Sequence, residues 1–128
     1  MAGLCLFAGG LMAAKLAGVA AFTLAWPHSV EKIAWEEDWL VSPLGLALQE
    51  ARVRGSGAGM DPAPDARFSD GAWRWKPAVP PLPEIVLRRS GATADWRLCT
   101  SGRCRFLGEF VDPQADPVIL RPCAEINP

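Results

Sequence analysis

The sequence has little of what usually marks a biochemical activity. It contains no tyrosine and one histidine, and its 13 basic and 14 acidic residues form no basic patch, which excludes an electrostatic nucleic-acid surface. The four cysteines include no Cys-x-x-Cys pair, so a zinc site is disfavoured. The glycine-rich segment 55–61 has no Gly-Lys-Ser/Thr phosphate loop, and no nucleophile elbow occurs. The sequence therefore assigns no metal, no cofactor and no catalytic residue.

What the chain does contain favours a β fold. Half of its 128 residues are hydrophobic, and 12 prolines and 12 glycines separate short alternating segments. This pattern is typical of an all-β antiparallel sandwich or barrel of about 8–10 short strands. The length suits a single domain over residues 1–128. We predict a strand over 44–54, although its flanking residues also suit a helix, and a loop over the polar segment 61–70.

The apolar N-terminal segment allows three interpretations. Residues 2–26 contain one charge, Lys15, and no basic residue precedes the apolar run as a secretory signal requires. A transmembrane helix would place Lys15 near its middle. We predict strands over 4–8 and 11–16, joined by a Gly9-Gly10 turn, rather than a leader. The sequence does not distinguish the bacterial cytoplasm from the cell envelope as the location of the protein. Contact with a membrane is expected only if residues 2–26 form an anchor.

The densest chemistry lies in residues 26–39, which include three of the six tryptophans and the histidine. Apolar residues alternate on both sides of Glu31-Lys32, which predicts a hairpin with one buried face. A turn at Glu31-Lys32 would place Trp26 opposite Glu37 and Leu24 opposite Trp39, with both apolar sets on one face.

This hairpin places His28 and Glu37 together on the tryptophan face. A carboxylate among tryptophans is costly to ionise without a partner. His28 can serve as that partner, and Arg52 or Arg54 can supply positive charge to Glu37 or to an anionic ligand. The group is then either a structural pair or a ligand site near the Gly57-Ala58-Gly59 turn.

A second hairpin is predicted around the turn Ser101-Gly102. In this register Cys99 faces Cys104 in a pair with close Cα atoms, which predicts a disulfide or a close thiol pair. Cys5 and Cys123 lie near opposite ends of the chain and could also form a bridge. Four cysteines permit an oxidising compartment without requiring it.

Several segments resemble the domain-of-unknown-function 1850 family. They are residues 22–32 with Trp35-x-Glu37, then Gly55 to Met60, Gly71 to Trp75, and Arg97-Leu98-Cys99 with Cys104. The resemblance implies a small, mainly β domain, often encoded beside TAXI-type tripartite ATP-independent periplasmic transporters. It implies an accessory or binding role in solute uptake, with a transporter component or its small anionic solute as partner, and no known reaction.

The hairpin and the family motifs together predict one ligand site. Its predicted residues are Trp26, His28, Ser29, Glu31, Lys32, Glu37, Arg54, Gly57, Ala58 and Gly59. Two alternatives remain, a hydrolase-like enzyme using His28 and Glu37 and a purely structural interaction domain. The enzyme is disfavoured, because His28 and Ser29 are neighbours on a strand and point to opposite faces.

Overall fold

A computed structural model of the protein describes residues 2–27, 34–54, 64–91 and 94–124. The described part consists of β-strands and a 3-10 turn at Leu107–Glu109. The strands in chain order are β1 (Ala2–Ala8), β2 (Leu11–Ala17), β3 (Ala21–Pro27), β4 (Ala34–Ser42), β5 (Gly45–Arg54), β6 (Arg67–Ser69), β7 (Ala72–Trp75), β8 (Ile85–Leu87), β9 (Arg97–Thr100), β10 (Arg103–Phe106) and β11 (Val118–Ala124).

These strands form two antiparallel sheets that pack as a sandwich. The smaller sheet has the order β2-β1-β11-β8, and the larger sheet has the order β10-β9-β3-β4-β5-β7-β6. The predicted all-β class is confirmed, and of the two predicted architectures the sandwich is the one formed. The described residues form eleven strands, slightly more than the predicted number, because the short edge strand β6 lies in a segment predicted as a loop.

The hydrophobic core lies between the two sheets. Leu4, Leu6 and Leu120 from the smaller sheet meet Phe22, Leu24, Trp39, Val41, Leu46 and Leu98 from the larger sheet. Leu107 of the 3-10 turn is also fully buried there. Burial of these apolar side chains is the main contribution that joins the sheets.

The N-terminal segment forms the hairpin β1–β2, as predicted for residues 4–8 and 11–16, with Gly9-Gly10 at the turn. β1 also pairs with β11, so the first and last strands are central neighbours in the smaller sheet. Within the described ranges, the structure has no helix of the length and apolarity needed to cross a membrane.

The register of the β3–β4 hairpin differs by two residues from the predicted one. Trp26 lies opposite Trp35, and Leu24, not Trp26, lies opposite Glu37. Phe22 takes the place opposite Trp39 that was predicted for Leu24. A shift of two residues leaves every side chain on the same face, so alternation alone cannot distinguish the registers. The observed register brings aromatic residues opposite each other, with Phe22 stacked on Trp39 at 6.4 Å.

A β-bulge reverses the faces of β5. Leu48 lies opposite Trp39 and Glu50 lies opposite Asp38, so Gln49 is the extra residue. Before the bulge, even-numbered residues such as Leu46 point into the core; after it, Ala51 and Val53 are the buried ones. Arg52 therefore lies on the outer face of the larger sheet, whereas an unbroken strand would point it inward.

The segment predicted as a loop over 61–70 contains the edge strand β6. Arg67–Ser69 pairs with β7 through a turn at Asp70-Gly71, whose φ angles are 49° and 76°. Asp-Gly favours this two-residue hairpin turn, because both positions need positive φ. Phe68 then packs edge-on against Trp73, with ring centroids 5.4 Å apart. The loop prediction was therefore wrong for residues 67–69, because the Asp70-Gly71 turn allows a hairpin in a segment that is polar and rich in proline.

Both cysteine pairs form disulfides. Cys99 lies opposite Cys104 with Cα atoms 3.9 Å apart, so the predicted register of the second hairpin is confirmed. Cys5 on β1 bonds to Cys123 on β11, with Cα atoms 5.7 Å apart. The Cys5–Cys123 bond therefore links β1 to β11 within the smaller sheet.

Candidate functional site

The inner face of the larger sheet carries a row of tryptophans that contact one another. The centroids of Trp96 and Trp26 are 4.9 Å apart, those of Trp26 and Trp35 are 6.2 Å apart, and those of Trp35 and Trp75 are 6.2 Å apart. All four side chains are half-buried. We call this group, Trp26, Trp35, Trp75 and Trp96, the tryptophan surface. It extends across the sheet from Trp96, which directly precedes β9, to Trp75 on β7.

The tryptophan surface begins where the core ends. Trp26 and Trp96 pack against the core cluster, whereas Trp35 and Trp75 are not among the described residues that pack on it. Side chains two residues apart on a strand share a face, so Trp26 follows the core residues Phe22 and Leu24 on β3, and Trp35 lies beyond Trp39 on β4. The surface thus extends the core face of the larger sheet beyond its contact with the smaller one.

Glu37 lies on this same inner face, as predicted, between Trp35 and Trp39 along β4. Its neighbours across the sheet are Leu24 and Ala51, both buried. Burial raises the pKa of Glu37, and a hydrogen bond donated by the Trp39 indole N–H, at 3.3 Å, opposes part of this rise. The carboxyl group is therefore easier to protonate than a carboxyl group in water.

A small cleft adjoins the tryptophan surface at the end of β3. Its volume is about 100 Å³. It is lined by Trp26, Pro27, Arg88, Arg89, Ser90, Ala94, Asp95 and Trp96. The Trp96 indole N–H donates to the Arg88 carbonyl at 2.8 Å and fixes the tryptophan against one wall.

Arg89 and Asp95 form the rigid side of this cleft. Arg89 donates to both Asp95 oxygens, at 3.1 and 2.8 Å, and to the carbonyls of Asp112 and Ala115. Burial opposes ionisation of Asp95, but the hydrogen bonds from Arg89 and from the Gly108 N–H outweigh it, so its pKa is lowered. With its side chain 8% exposed, Arg89 orders the surrounding loops.

The outer face of the larger sheet carries a charged cluster centred on Arg52. Its guanidinium contacts Glu36 at 2.5 Å, Asp38 at 2.7 Å and Glu50 at 2.8 Å. The hydrogen bond with Asp38 is the main cause that raises the pKa of Arg52, against the effect of burial. Thr23 Oγ1 also donates to Asp38, at 2.7 Å. Burial opposes the charge of Asp38, but these hydrogen bonds prevail and lower its pKa.

This cluster corrects the predicted partner of Glu37. Arg52 and Arg54 both contact Glu36, which points away from Glu37 because successive side chains of a strand alternate. The bulge at Gln49 is the physical reason, since it turns both arginines outward.

The structure describes three of the residues of the predicted site, and the ligand site itself stays a prediction. Trp26 and Glu37 share the inner face, and Arg54 lies on the outer face. The remaining predicted residues, His28, Ser29, Glu31, Lys32, Gly57, Ala58 and Gly59, lie outside the described residues. Within the described ranges, no three His, Cys, Asp or Glu side chains are placed to bind a metal ion.

Sequence reasoning did not assign Trp96 or Trp75 to the site. Both residues are distant from Trp26 in the sequence. The pairing order of β9, β3, β4, β5 and β7 brings them together, and local patterns do not reveal that order.

Comparison with known proteins gives a family and no reaction. No curated protein matches the chain, and no solved structure does. Residues 22–107 match the model of a family described as a domain of unknown function, DUF1850. The match begins at Phe22 on β3 and ends at Leu107, so it includes the tryptophan surface, Glu37 and the Cys99–Cys104 pair. The chain belongs to the DUF1850 family.

Proposed function

We propose that this protein is a non-enzymatic accessory module that docks a protein component of a TAXI-type tripartite transporter through its tryptophan surface. The observation that carries the proposal is the continuous contact from Trp96 through Trp26 and Trp35 to Trp75. Half-buried tryptophans in a contiguous group are typical of protein interfaces, where they contribute much of the binding energy. The transport context comes from the resemblance of the sequence motifs to this family.

The shape of the site favours a polypeptide partner over an enclosed solute. The cleft beside Trp26 has a volume of about 100 Å³, whereas small-molecule sites usually measure roughly 300–1,000 Å³. A cleft of this size suits one inserted side chain. The rest of the tryptophan surface is suited to an extended contact with a partner of matching apolar surface.

The charges at the site argue against a small anionic solute. Glu37 on the inner face would repel an anion when ionised, and Arg52 is occupied on the opposite face by Glu36, Asp38 and Glu50. Arg89 lies in the cleft wall, but its donors are bound to Asp95 and to backbone carbonyls. A peptide segment with an apolar or cationic side chain is electrostatically more compatible.

The proposal is tested with purified components. The protein is immobilised and exposed to the solute-binding subunit and to the detergent-solubilised membrane subunits of a TAXI-type transporter from the same genome. We expect saturable binding, weakened at least about 30-fold by Trp35→Ala with Trp75→Ala, the scale of an interface hot spot. Phe106→Ala is the control, since it removes an exposed aromatic of β10 that shares the outer face with Cys104, whereas the tryptophan surface lies on the inner face. Binding unchanged in the double variant, or no binding to any subunit, would overturn the proposal.

A hydrolase-like enzyme using His28 and Glu37 is a second candidate, favoured by the raised pKa of Glu37. A carboxyl group whose pKa is raised keeps its proton to a higher pH than an ordinary carboxyl group, which suits a general acid. The test is hydrolysis of p-nitrophenyl esters by wild type and Glu37→Gln. Turnover in the wild type that Glu37→Gln abolishes would support an enzyme, and equal background rates would exclude this role of Glu37.

A further inference from the structure

The two disulfides differ in their exposure to solvent. Cys5 is 2% exposed and lies on β1, which is covered by β2 on one side and by β11 on the other. Cys104 is exposed and lies on β10, an edge strand of the larger sheet, while Cys99 is half-buried on β9. A thiol in solution can therefore approach the Sγ atom of Cys104 in the folded protein. Access is one of the factors that control the rate of thiol–disulfide exchange.

The Cys99–Cys104 bond also faces a groove on the outer side of the larger sheet. Cys104, Cys99, Thr23 and Asp38 follow one another across β10, β9, β3 and β4. The groove has a volume of about 510 Å³. Its other lining residues are Ala21, Phe22, Trp39, Leu40, Gln49, Arg52, Ser101 and Gly102. The space beside the disulfide is thus large enough for a small thiol compound.

The charged side chains near the groove are either paired or directed away from it. Arg103 and Arg105 flank Cys104 along β10, so they point to the opposite face of the larger sheet. The carboxylate of Asp38 lines the groove, but it accepts hydrogen bonds from Thr23 and from Arg52, which compensates its charge. The described residues that line the groove therefore present no unpaired charge to an incoming thiolate.

We propose that Cys99–Cys104 and its groove form a thiol–disulfide exchange site for small thiols. The thiolate sulfur of the incoming compound attacks Sγ of Cys104, a mixed disulfide forms, and Cys99 leaves as a thiolate that takes a proton from water. A second thiolate attacks the sulfur of the first compound in the mixed disulfide and releases Cys104. Two thiols are oxidised to one external disulfide, and one protein disulfide is reduced to two thiols.

Opening the Cys99–Cys104 bond is expected to disturb the fold less than opening the buried Cys5–Cys123 bond. The strands β9 and β10 are also joined by their antiparallel pairing and by the Ser101-Gly102 turn, with φ angles of 50° and 78°, and neither contact requires the sulfur bond. β9 also pairs with β3. Reduction is therefore expected to proceed in the native state.

The native protein is incubated with reduced glutathione, samples are quenched with acid, and free thiols are alkylated for peptide mapping by mass spectrometry. We expect Cys99 and Cys104 to become labelled at least about tenfold sooner than Cys5 and Cys123, because access governs exchange. A glutathione adduct should be found on Cys104 rather than Cys99. Tryptophan fluorescence recorded in parallel should remain that of the folded protein while labelling proceeds.

The disulfide Cys5–Cys123 is the internal control, and Cys99→Ser with Cys104→Ser should abolish the fast reaction. Reduction of both disulfides at the same rate, or only together with loss of the native fluorescence, would overturn the proposal.

Discussion

The surroundings of Glu37 oppose ionisation of its carboxyl group. Burial raises its pKa above the ordinary value of 4.5. A group that binds its proton more tightly when folded adds stability at low pH and loses this contribution as the pH rises through its folded pKa. We expect Glu37→Gln to raise the free energy of unfolding at pH 7–8 by about 0.5–1 kcal/mol. Urea denaturation between pH 4 and pH 8 measures the difference, which should shrink as the pH falls.

The control for Glu37→Gln is Glu84→Gln. Glu84 forms an ion pair with Arg121 at 2.9 Å, with side chains 35% and 47% exposed. Such pairs usually contribute less than about 1 kcal/mol, so this variant should change little. A loss of stability in Glu37→Gln of equal size at every pH would contradict the expectation, and would show that the carboxylate itself is needed for the packing of Trp39.

Gly45 is a position where any side chain should be harmful. Its φ is 130°, and a Cβ atom would collide with the carbonyl oxygen of Leu82. That oxygen accepts a hydrogen bond from the Leu46 N–H at 2.7 Å, so it cannot easily move away. We expect Gly45→Ala to lower the free energy of unfolding by about 2–4 kcal/mol. Thermal and urea denaturation measure the loss.

Gly91→Ala provides the matched control for Gly45→Ala. A Cβ atom built on Gly91 meets nothing within 4 Å. The substitution should change the free energy of unfolding by less than about 0.5 kcal/mol. Equal effects at Gly45 and Gly91 would show that the close approach to Leu82 is not what requires glycine at the start of β5.

At the scale of strands, Arg52 connects β4 and β5 on the outer face of the larger sheet. Its side chain is 11% exposed, and Arg52→Gln would leave Glu36, Asp38 and Glu50 with fewer cationic partners. Removing one member of a largely buried ion cluster leaves charge uncompensated, and we expect a loss of about 2–3 kcal/mol near pH 7. Arg54→Gln is the control, because Arg54 is 43% exposed and contacts Glu36 alone among the described carboxylates.

The pH dependence of Arg52→Gln follows from Asp38. The pKa of Asp38 is lowered, so its stabilising contribution is present above the ordinary value of 3.8 and is lost as the pH falls through the folded pKa. The difference between wild type and Arg52→Gln should therefore narrow at acid pH. Urea denaturation at pH 3 and pH 7 checks this, and a difference that widens at pH 3 would be inconsistent with the cluster as described.

The strands themselves were largely predictable, because alternation and turn residues act locally. The Gly9-Gly10 and Ser101-Gly102 turns gave both hairpins correctly, including the contact of Cys99 with Cys104. The β3–β4 register was not predictable from alternation, since a two-residue shift preserves the faces. The stacking of Trp26 on Trp35 distinguishes the two registers. A rule that prefers aromatic pairs across strands to a pair of Trp26 with Glu37 predicts the observed register.

The sequence predicted only those features of the candidate site that depend on the residue order within a single strand. Glu37 follows Trp35 by two residues and precedes Trp39 by two, so its place on the aromatic face could be deduced from the sequence. The outward turn of Arg52 could not, because the bulge at Gln49 leaves no clear mark in the sequence. Trp96 joins the tryptophan surface because β9 pairs with β3. These strands are far apart in the sequence, so local patterns do not predict that they pair.

At the scale of the whole molecule, the two faces of the larger sheet have separate chemistry. The inner face continues from the core into the tryptophan surface, and the outer face carries the Arg52 cluster and the Cys99–Cys104 bond. Because successive residues of β4 point to opposite faces, Glu37 belongs to one side and Glu36 with Asp38 to the other. Substitutions on one face should therefore leave the chemistry of the other face largely unchanged, since distant sites are usually additive.

The disulfides should also contribute unequally to the stability of the molecule. The sequence separation is 118 residues for Cys5–Cys123 and 5 residues for Cys99–Cys104. In the chain-entropy model a bond that closes a longer loop restricts the unfolded chain more. We expect Cys5→Ala with Cys123→Ala to lower the free energy of unfolding by about 4–5 kcal/mol, and Cys99→Ala with Cys104→Ala by about 2 kcal/mol.

Urea denaturation of the two double variants, in the absence of reductant, measures both losses on the same scale. The buried pair adds a second reason for inequality, because it joins β1 to β11 at the centre of the smaller sheet, whereas the other pair joins a hairpin already closed by its turn. A loss at Cys99–Cys104 equal to or greater than that at Cys5–Cys123 would contradict the expectation. It would mean that the edge hairpin depends on its disulfide, and that the bond could not open in the native state without wider unfolding.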